Sequence, residues 1–386
     1  MDPADFQAQS AGRVVKTTDG HWAFVPAPLP PALDYTPGLV MALSSADAAL
    51  SELSGLGRNL PNPHLLIAPY MRLEAVLSSR IEGTRTELAD LLLDEVQAEA
   101  PSRDAAEVRE IREVHNYVRA LEYGITRLRE LPLSLRLVRE LHERLMTNVR
   151  GEHAAPGQFR RTQNWIGPPG SAMATATYVP PPPDELSGTL DAWERFLHVR
   201  EAMPDLIQCG LIHQQFEAIH PFLDGNGRVG RLLIPLFLME RGRLSQPLLY
   251  WSAFCERHRT EYYDHLQRVR TPADWTGWLQ FFLVGIREAS TDAVRQAGEL
   301  MDLRERWRGM LRRKPRALQL IDQLFVNPYV TVGRAAHSLG VSNPTARQVV
   351  VELTRQGIIE ETTGRAWRRL YLARSILQAI QPPRSR

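Results

Sequence analysis

The stretch HPFLDGNGRVGR, residues 220–231, decides how this 386-residue chain is read. Upstream of it, DLIQCGLIHQQFEAIH (205–220) has the length and composition of a helix, and its end is forced because a residue before proline is pushed out of the α region. His220 therefore stands at a helix terminus. Asp224-Gly225-Asn226-Gly227 then supplies two glycines free to take positive φ, so that successive backbone N–H groups can turn inward as an anion-binding nest. A second helix opens directly afterwards. Its continuation RLLIPLFLMER (231–241) is apolar nearly all round, which predicts burial at a domain centre.

The first turn of that second helix carries Arg228 and Arg231, three apart on one face, where the helix dipole disfavours cations by roughly 0.3–1 kcal/mol. A polyphosphate would offset this, held by nest amides, the helix N-terminus and two guanidinium forks, with Asp224 offering hard oxygen to Mg²⁺. His220 is the one group there able to take a proton near pH 7. Taken singly, each feature has a bland reading: a turn, a satisfied histidine, a solvated pair of arginines. All of them within twelve residues argue for one site. The sequence has no GxxxxGK[ST] and no kinase-like HRD or DFG, and a His213/His220 metal pair lacks further ligands at zinc spacing.

Around this centre the chain divides. Residues 1–40 contain FVPAPLPPALDYTPG, which predicts a proline-rich arm laid extended on a domain. Residues 41–125 show helical periodicity broken at GLGRNLPNPH and APSRD, and residues 126–300 form the core that holds the loop. Within it GQFRRTQNWIGPP and ATATYVPPPP replace apolar stripes with Gly, Pro and Thr, predicting a hairpin or flap over about 157–180. Residues 310–386 read as a separate unit: a helix with Ala317, Leu320, Ile321 and Leu324 on one face, a short helix TVGRAAHSLGV, a third capped by Ser342 or Asn343 and stopped at Gly357, then a hairpin turning at Thr363-Gly364. That order resembles a winged helix-turn-helix, an α+β unit.

With 44% hydrophobic and 23% charged residues the chain can build real cores, and its formal charge of +2 gives no whole-chain affinity for polyanions. Lys16 and Lys314 are the only lysines, an arginine bias that points to a GC-rich, bacterial genome. Cys209 and Cys255 read as packing residues in a reducing compartment. The start lacks an apolar h-region and no apolar run approaches the ~18 residues a span needs, so the expected location is the cytoplasm, with no membrane.

At every fixed position the loop matches His-x-Phe-x-(Asp/Glu)-Gly-Asn-Gly-Arg-x-x-Arg, and so resembles the active-site loop of Fic-family protein adenylyltransferases. The resemblance implies an all-α Fic fold with a β-hairpin flap, and transfer of AMP from ATP to a Ser, Thr or Tyr hydroxyl of a protein, the chain itself included. It implies His220 as general base, Asp224 as Mg²⁺ ligand, and an ATP cradle of Gly225, Asn226 and Gly227 that runs on through Val229 and Gly230, with Arg228 and Arg231 as polyphosphate anchors. It further implies that the flap accepts the target's backbone as an added strand, with Ile166, Gly167, Pro168 and Pro169 nearest the nucleotide, and that the protein is a homodimer. Tyr262 and Tyr263 match a pair lining the adenine and ribose pocket, although helix packing explains these rings as well. Arg270 stands where some relatives have a nucleotide-contacting asparagine and is left out of the site.

Ser78-Ser79-Arg80-Ile81-Glu82-Gly83 matches the family's inhibitory pattern (Ser/Thr)-x-x-x-Glu-(Gly/Asn) and resembles the class with an N-terminal inhibitory helix. Glu82 would then pair with Arg231 in the place of the γ-phosphate, with Ser78 and Gly83 completing the motif. The residues alone also allow a helix corner, with Gly83 as C′ and a capping box at residues 84–87. Rival functions are a DNA-binding regulator whose Fic part senses nucleotide, and an enzyme moving another phosphate-linked group. DNA would meet Arg347, Gln348 and Arg355 on the third tail helix and Arg365, Arg368 and Arg369 on the wing. A mere sensor would not need His220.

Overall fold

The computed structural model describes residues 1–6, 8–59, 64–96, 104–149, 155–168, 170–365 and 367–381. The N-terminal arm departs from expectation. In place of extended chain throughout, it holds an antiparallel hairpin, β1 (Gly12–Lys16) and β2 (Trp22–Pro26), with Val14 opposite Phe24. GRVVK and WAFVP carry the β-branched and aromatic residues that suit a pleated surface. Phe24 packs on Phe6 and Tyr178, and its N–H donates to the Val179 carbonyl at 2.8 Å, which fastens the hairpin to the flap. The proline-rich residues 27–36 follow without regular structure.

Helices α1 (Pro37–Asn59), α2 (His64–Ile81), α3 (Leu88–Asp94), α4 (Ala105–Arg127) and α5 (Leu135–Met146) precede the flap. After it come α6 (Pro183–Leu197), α7 (Asp205–Ile219), α8 (Asn226–Glu240), α9 (Ser252–Arg257), α10 (Arg259–Arg270) and α11 (Trp275–Met310). Side-chain caps set several starts: Asp104 accepts the Ala106 and Glu107 N–H groups at 2.8 Å, and Asp274 accepts that of Gly277 at 2.9 Å. The helix corner differs from a capping box at residues 84–87. Arg85 N–H is taken by Glu110 at 2.8 Å, and α3 opens later with Glu87 as N-cap, its N–H donating to Asp90 Oδ2 at 3.0 Å.

α7 and α8 are the centre of the bundle. Leu206 and every residue after it to the end of α7 are buried, and α8 is enclosed from Val229 to Leu238. The apolar run 231–241 thus lies where its composition puts it, each buried Leu, Ile or Phe contributing about 1.5–3 kcal/mol. α1 lies along α11 and buries Leu39, Ala46, Leu50 and Leu53. With a mean hydropathy of 1.2 it is, among the described residues, the one helix long and apolar enough to cross a membrane, where the sequence reading expected no such run.

The flap is narrower than a full hairpin. Among the described residues of 157–180 the two limbs pair through a single antiparallel bridge, Ile166 with Tyr178, at 2.8 and 3.0 Å. Pro168 and Pro180 have no N–H to extend the ladder in either direction.

The tail comprises α12 (Pro315–Val326), β3 (Tyr329–Thr331), α13 (Val332–Leu339), α14 (Asn343–Arg355), β4 (Glu360–Glu361), β5 (Leu370–Leu372) and α15 (Arg374–Ile380), with antiparallel sheet order β3-β5-β4. Ala317, Leu320, Ile321 and Leu324 form the buried face of α12. The tail's core is continuous with that of the bundle: α12 and α15 both pack on α2, and α15 also on α11. Asn327 Nδ2 donates to the Leu92 carbonyl (2.9 Å) and to Glu95 (3.0 Å), while Glu95 also holds Arg72 of α2 at 2.6 and 3.0 Å.

Candidate active site

α7 ends in a left-handed residue. His220 has φ 49° and ψ 60°, sparsely populated for a non-glycine, because Pro221 closes the ordinary α region to it. A helix C-terminus leaves four carbonyls without intrahelical donors. Here they are met from outside: Glu217 O by Arg270 Nη2 (3.0 Å), Ala218 O by the Tyr178 hydroxyl (2.7 Å), Ile219 O by Arg160 Nη2 (3.5 Å), and His220 O by Arg160 Nε (3.0 Å) and Asn164 Nδ2 (3.4 Å). Burial pushes the His220 imidazole down to about 3, Arg270 and Arg160 reinforce this, and Glu82 opposes it, so the ring is neutral near pH 7.

The loop is closed by Asn226, whose Oδ1 accepts the Phe222 N–H and whose Nδ2 donates to the Phe222 carbonyl, both at 2.8 Å. Gly225, at φ +78°, forms the N-cap of α8; any Cβ there would also stand 2.8 Å from Met146 Sδ. The half-exposed Asp224 accepts the Gly225 N–H through Oδ1 at 2.6 Å, and the same oxygen lies 3.6 Å from Arg228. Beneath the loop His142 receives the Gly157 N–H on Nδ1 (2.9 Å), so its proton sits on Nε2 and is donated to the Asp224 carbonyl (3.0 Å). Its ring stacks on Phe222 at 3.7 Å, and burial pushes it down to about 4, which keeps that neutral tautomer.

Both loop arginines are buried. Arg228 lies 3.4 Å from Glu113 of α4, and Arg231, 1% exposed, donates Nε to Ser78 Oγ (2.9 Å) and Nη2 to the Ser78 carbonyl (2.9 Å) and Glu82 Oε1 (2.7 Å). Burial would raise the Glu82 carboxyl, but Arg231 foremost, with Arg228 and His220, holds it below the usual range. Gly83, at φ +96°, turns the chain away directly after it. Glu82 Oε1 lies 2.2 Å from where a Cβ on Gly227 would stand, so its carboxylate sits against the nest at the N-terminus of α8.

The remaining expected residues are dispersed in role. Val229 is fully enclosed, and a Cβ on Gly230 would meet Glu217 Oε1 at 2.4 Å. Ile166 makes the flap bridge, Gly167 and Pro168 are exposed, and Pro169 lies outside the described residues. Tyr262 is 1% exposed and its hydroxyl donates to His213 Nε2 (2.9 Å), whose Nδ1–H reaches the Gly230 carbonyl (3.0 Å); this ring is committed to the core. Tyr263 is half-exposed beside it, ring centroids 5.3 Å apart. The sequence reading missed Arg160, Tyr178 and His142 and set Arg270 aside. Nothing in GQFRRTQ separates the buried Arg160 from its exposed neighbour Arg161; only the fold does.

Residues 40–126 match the Fic/DOC family N-terminal domain and residues 132–238 the Fic/DOC family domain, together about half of the chain. The chain belongs to the Fic/DOC family. Residues 78–83 fall in the first matched segment and the loop 220–231 in the second, while the tail lies beyond both. A Protein adenylyltransferase Fic from Culex quinquefasciatus is 32% identical over 137 residues, 35% of this chain and 24% of that protein. One from Drosophila grimshawi is 27% identical over 181 residues, 46% of this chain and 34% of that protein. The chain thus matches about a quarter to a third of the length of these curated relatives. The crystal structure of a Fic family protein from Desulfovibrio desulfuricans G20 shares the fold, with a TM-score of 0.57 at 21% identity, covering 89% of this chain and 98% of that one.

Proposed function

We propose that this Fic protein is a protein adenylyltransferase held at rest by its own Glu82. The observation that carries the reading is the Glu82–Arg231 pair seated against Gly227, at the helix N-terminus where the loop can hold a polyphosphate. Productive ATP needs Arg231 and the nest amides for its terminal phosphates, so Glu82 must swing away. A target hydroxyl oxygen then attacks the α-phosphorus, the bond to the bridging oxygen breaks, pyrophosphate leaves, and the hydroxyl proton passes to His220. Burial leaves the His220 ring unprotonated at rest, so it is free to accept that proton.

The half-exposed Asp224 carboxylate fits a hard cation shared with phosphate oxygens; no group of three His, Cys, Asp or Glu side chains is placed for a metal among the described residues. Mg²⁺ bound there would neutralise charge on the departing pyrophosphate. The target is a protein with a Ser, Thr or Tyr hydroxyl, self-modification included, whose backbone would pair beside Ile166 on the flap.

The test compares the wild-type chain, Glu82→Gly, and Glu82→Gly with His220→Ala, each incubated with α-labelled ATP, Mg²⁺ and a cell lysate. Glu82→Gly should raise protein labelling at least about tenfold and His220→Ala abolish it. Equal labelling in all three overturns the reading.

A second reading concerns the tail, which we infer to be a winged helix that binds duplex DNA. Residues 315–386 hold ten of the chain's 46 basic residues but only four of its 44 acidic ones, so this segment carries a net charge of +6 while the rest of the chain carries −4. Arg347, Gln348 and Arg355 are exposed on α14, as are Arg365, Arg368 and Arg369 in the β4–β5 connection. Duplex affinity should fall with salt by about 0.9 log units per log unit for each phosphate met. Absence of binding at about 50 mM salt, where such contacts are strongest, removes it.

A further inference from the structure

We propose that Arg270 is a positioning residue for the reaction, holding His220 in its left-handed turn by gripping the end of α7. The proposal rests on the adenylyltransferase reading of the site.

Arg270 is the last residue of α10 and is 5% exposed. It has no ion-pair partner among the described residues, and its Nε is enclosed without an acceptor. A buried guanidinium without a carboxylate against it is expensive, and a position needing only volume would be better filled by an apolar side chain. Glu217, whose carboxyl burial raises to about 7, and Tyr262 attract Arg270 from a distance, but its direct contacts lie at one place. Nη2 donates to the Glu217 carbonyl at 3.0 Å, at the negative end of α7, and the guanidinium carbon stands 3.9 Å from the centroid of the Tyr178 ring.

Tyr178 in turn donates its hydroxyl to the next carbonyl, Ala218 O, and Arg160 takes the two after that, Ile219 O and His220 O. Four successive carbonyls are therefore held by three stacked or adjoining side chains, two of them from the flap and one from α10. Rotation of the backbone at Ile219 or His220 would break at least one of these bonds, so the turn that aims the imidazole is fixed from behind. Arg270 does not act as an asparagine on the nucleotide would, because its bonded nitrogen faces the helix end.

The groups bearing on the His220 ring are Arg270 from α10, Arg160 from the flap, Glu82 from beyond α2, and the Glu217 carbonyl from its own helix. Removing Arg270 takes away a cation, so the ring should bind a proton more readily and the acid limb of activity should move to higher pH.

The experiment uses the full chain carrying Glu82→Gly, alone and with Arg270→Gln, Arg270→Lys or Tyr178→Phe. It reads kcat and KM for ATP, the pH profile of AMP transfer, and the titration of the His220 ring by histidine-selective NMR without nucleotide. Arg270→Gln should lower kcat about 10- to 100-fold with KM for ATP within about twofold, as expected of a displaced catalytic group. Arg270→Lys should recover part of the loss, and Tyr178→Phe, which deletes one hydrogen bond and leaves the ring, should lower kcat by less. The acid limb and the ring titration should both move upward in Arg270→Gln. Unchanged kcat with an unchanged ring titration overturns the proposal, as does a rise confined to KM for ATP, which would make Arg270 a nucleotide contact. If the Glu82→Gly parent moves no AMP, the adenylyltransferase reading has failed, and the ring titration still decides whether Arg270 governs His220.

Discussion

Glu82 and Arg231 meet at 2.7 Å across the site, a carboxylate side chain about one-third exposed against a guanidinium that is 1% exposed. The asymmetry matters. Arg231 cannot be left without a counter-charge, since a buried cation stripped of its partner is strongly destabilising, whereas Glu82 can be hydrated when it leaves. Whatever displaces Glu82 must itself bring negative charge.

Glu82→Gly should therefore lower the stability of the nucleotide-free protein by about 1–3 kcal/mol, less than for a wholly buried pair because Glu82 is partly solvated. MgATP should restore it, giving a larger thermal shift than in the wild-type chain. Thermal denaturation with and without nucleotide checks this; equal shifts would show that Glu82 and the nucleotide do not compete for Arg231.

Gly227→Ala would put a methyl group into the nest where Glu82 Oε1 now lies. In the Glu82→Gly chain it should weaken ATP binding at least about tenfold, roughly 1.4 kcal/mol. Calorimetric titration of the two variants measures it. Unaltered affinity would place the phosphates elsewhere.

Asn226→Ala leaves the Phe222 N–H and carbonyl without their partner inside the protein, at a cost of about 2–4 kcal/mol for the two. Asn226→Asp should not rescue it, because a carboxylate would face the Phe222 carbonyl that now accepts Nδ2. Urea unfolding of both variants distinguishes this staple from a side chain that serves only ATP.

Glu217 supplies a pH-dependent test. Burial raises its carboxyl to about 7 against Arg231, and Oε1 has no partner. The unfolded chain ionises near 4.5 and the folded chain near 7, so the stability given by the neutral carboxyl is fully present below 4.5 and lost as pH rises through 7. Glu217→Gln cannot ionise. It should be more stable than wild type by about 1–3 kcal/mol at pH 8 and close to equal at pH 4.5, as read by urea unfolding. A gain that does not change with pH would mean that Glu217 titrates alike in the folded and unfolded chain.

The loop and its two flanking helices were legible because their signals are local: Pro221 ends α7, the glycines permit the turn, and the run 231–241 has no polar face to expose. The α12 face was legible for the same reason. The caps on α7 were not, since Arg160, Tyr178 and Arg270 reach it from 60, 40 and 53 positions away in sequence. The β1–β2 hairpin was missed because the prolines of 26–37 were extended over its neighbours, although Val14, Val15 and Phe24 carried a strand signal. The box at residues 84–87 failed because the groups it needs are taken elsewhere: the Thr84 N–H goes to the Ser79 carbonyl, the Thr84 hydroxyl turns to Glu113, distant in sequence, and the Glu87 N–H goes to Asp90.

α2 bears Ser78 near its end and leads directly into Glu82, while its outer side is covered by α12 and α15 of the tail. The border drawn by composition near residue 310 is thus not a mechanical border. A protease cut or an early stop there would strip apolar cover from the very helix that delivers the Glu82 carboxylate to Arg231, so on the adenylyltransferase reading proposed above the bundle released in this way should be an altered switch and not a smaller copy of the same one.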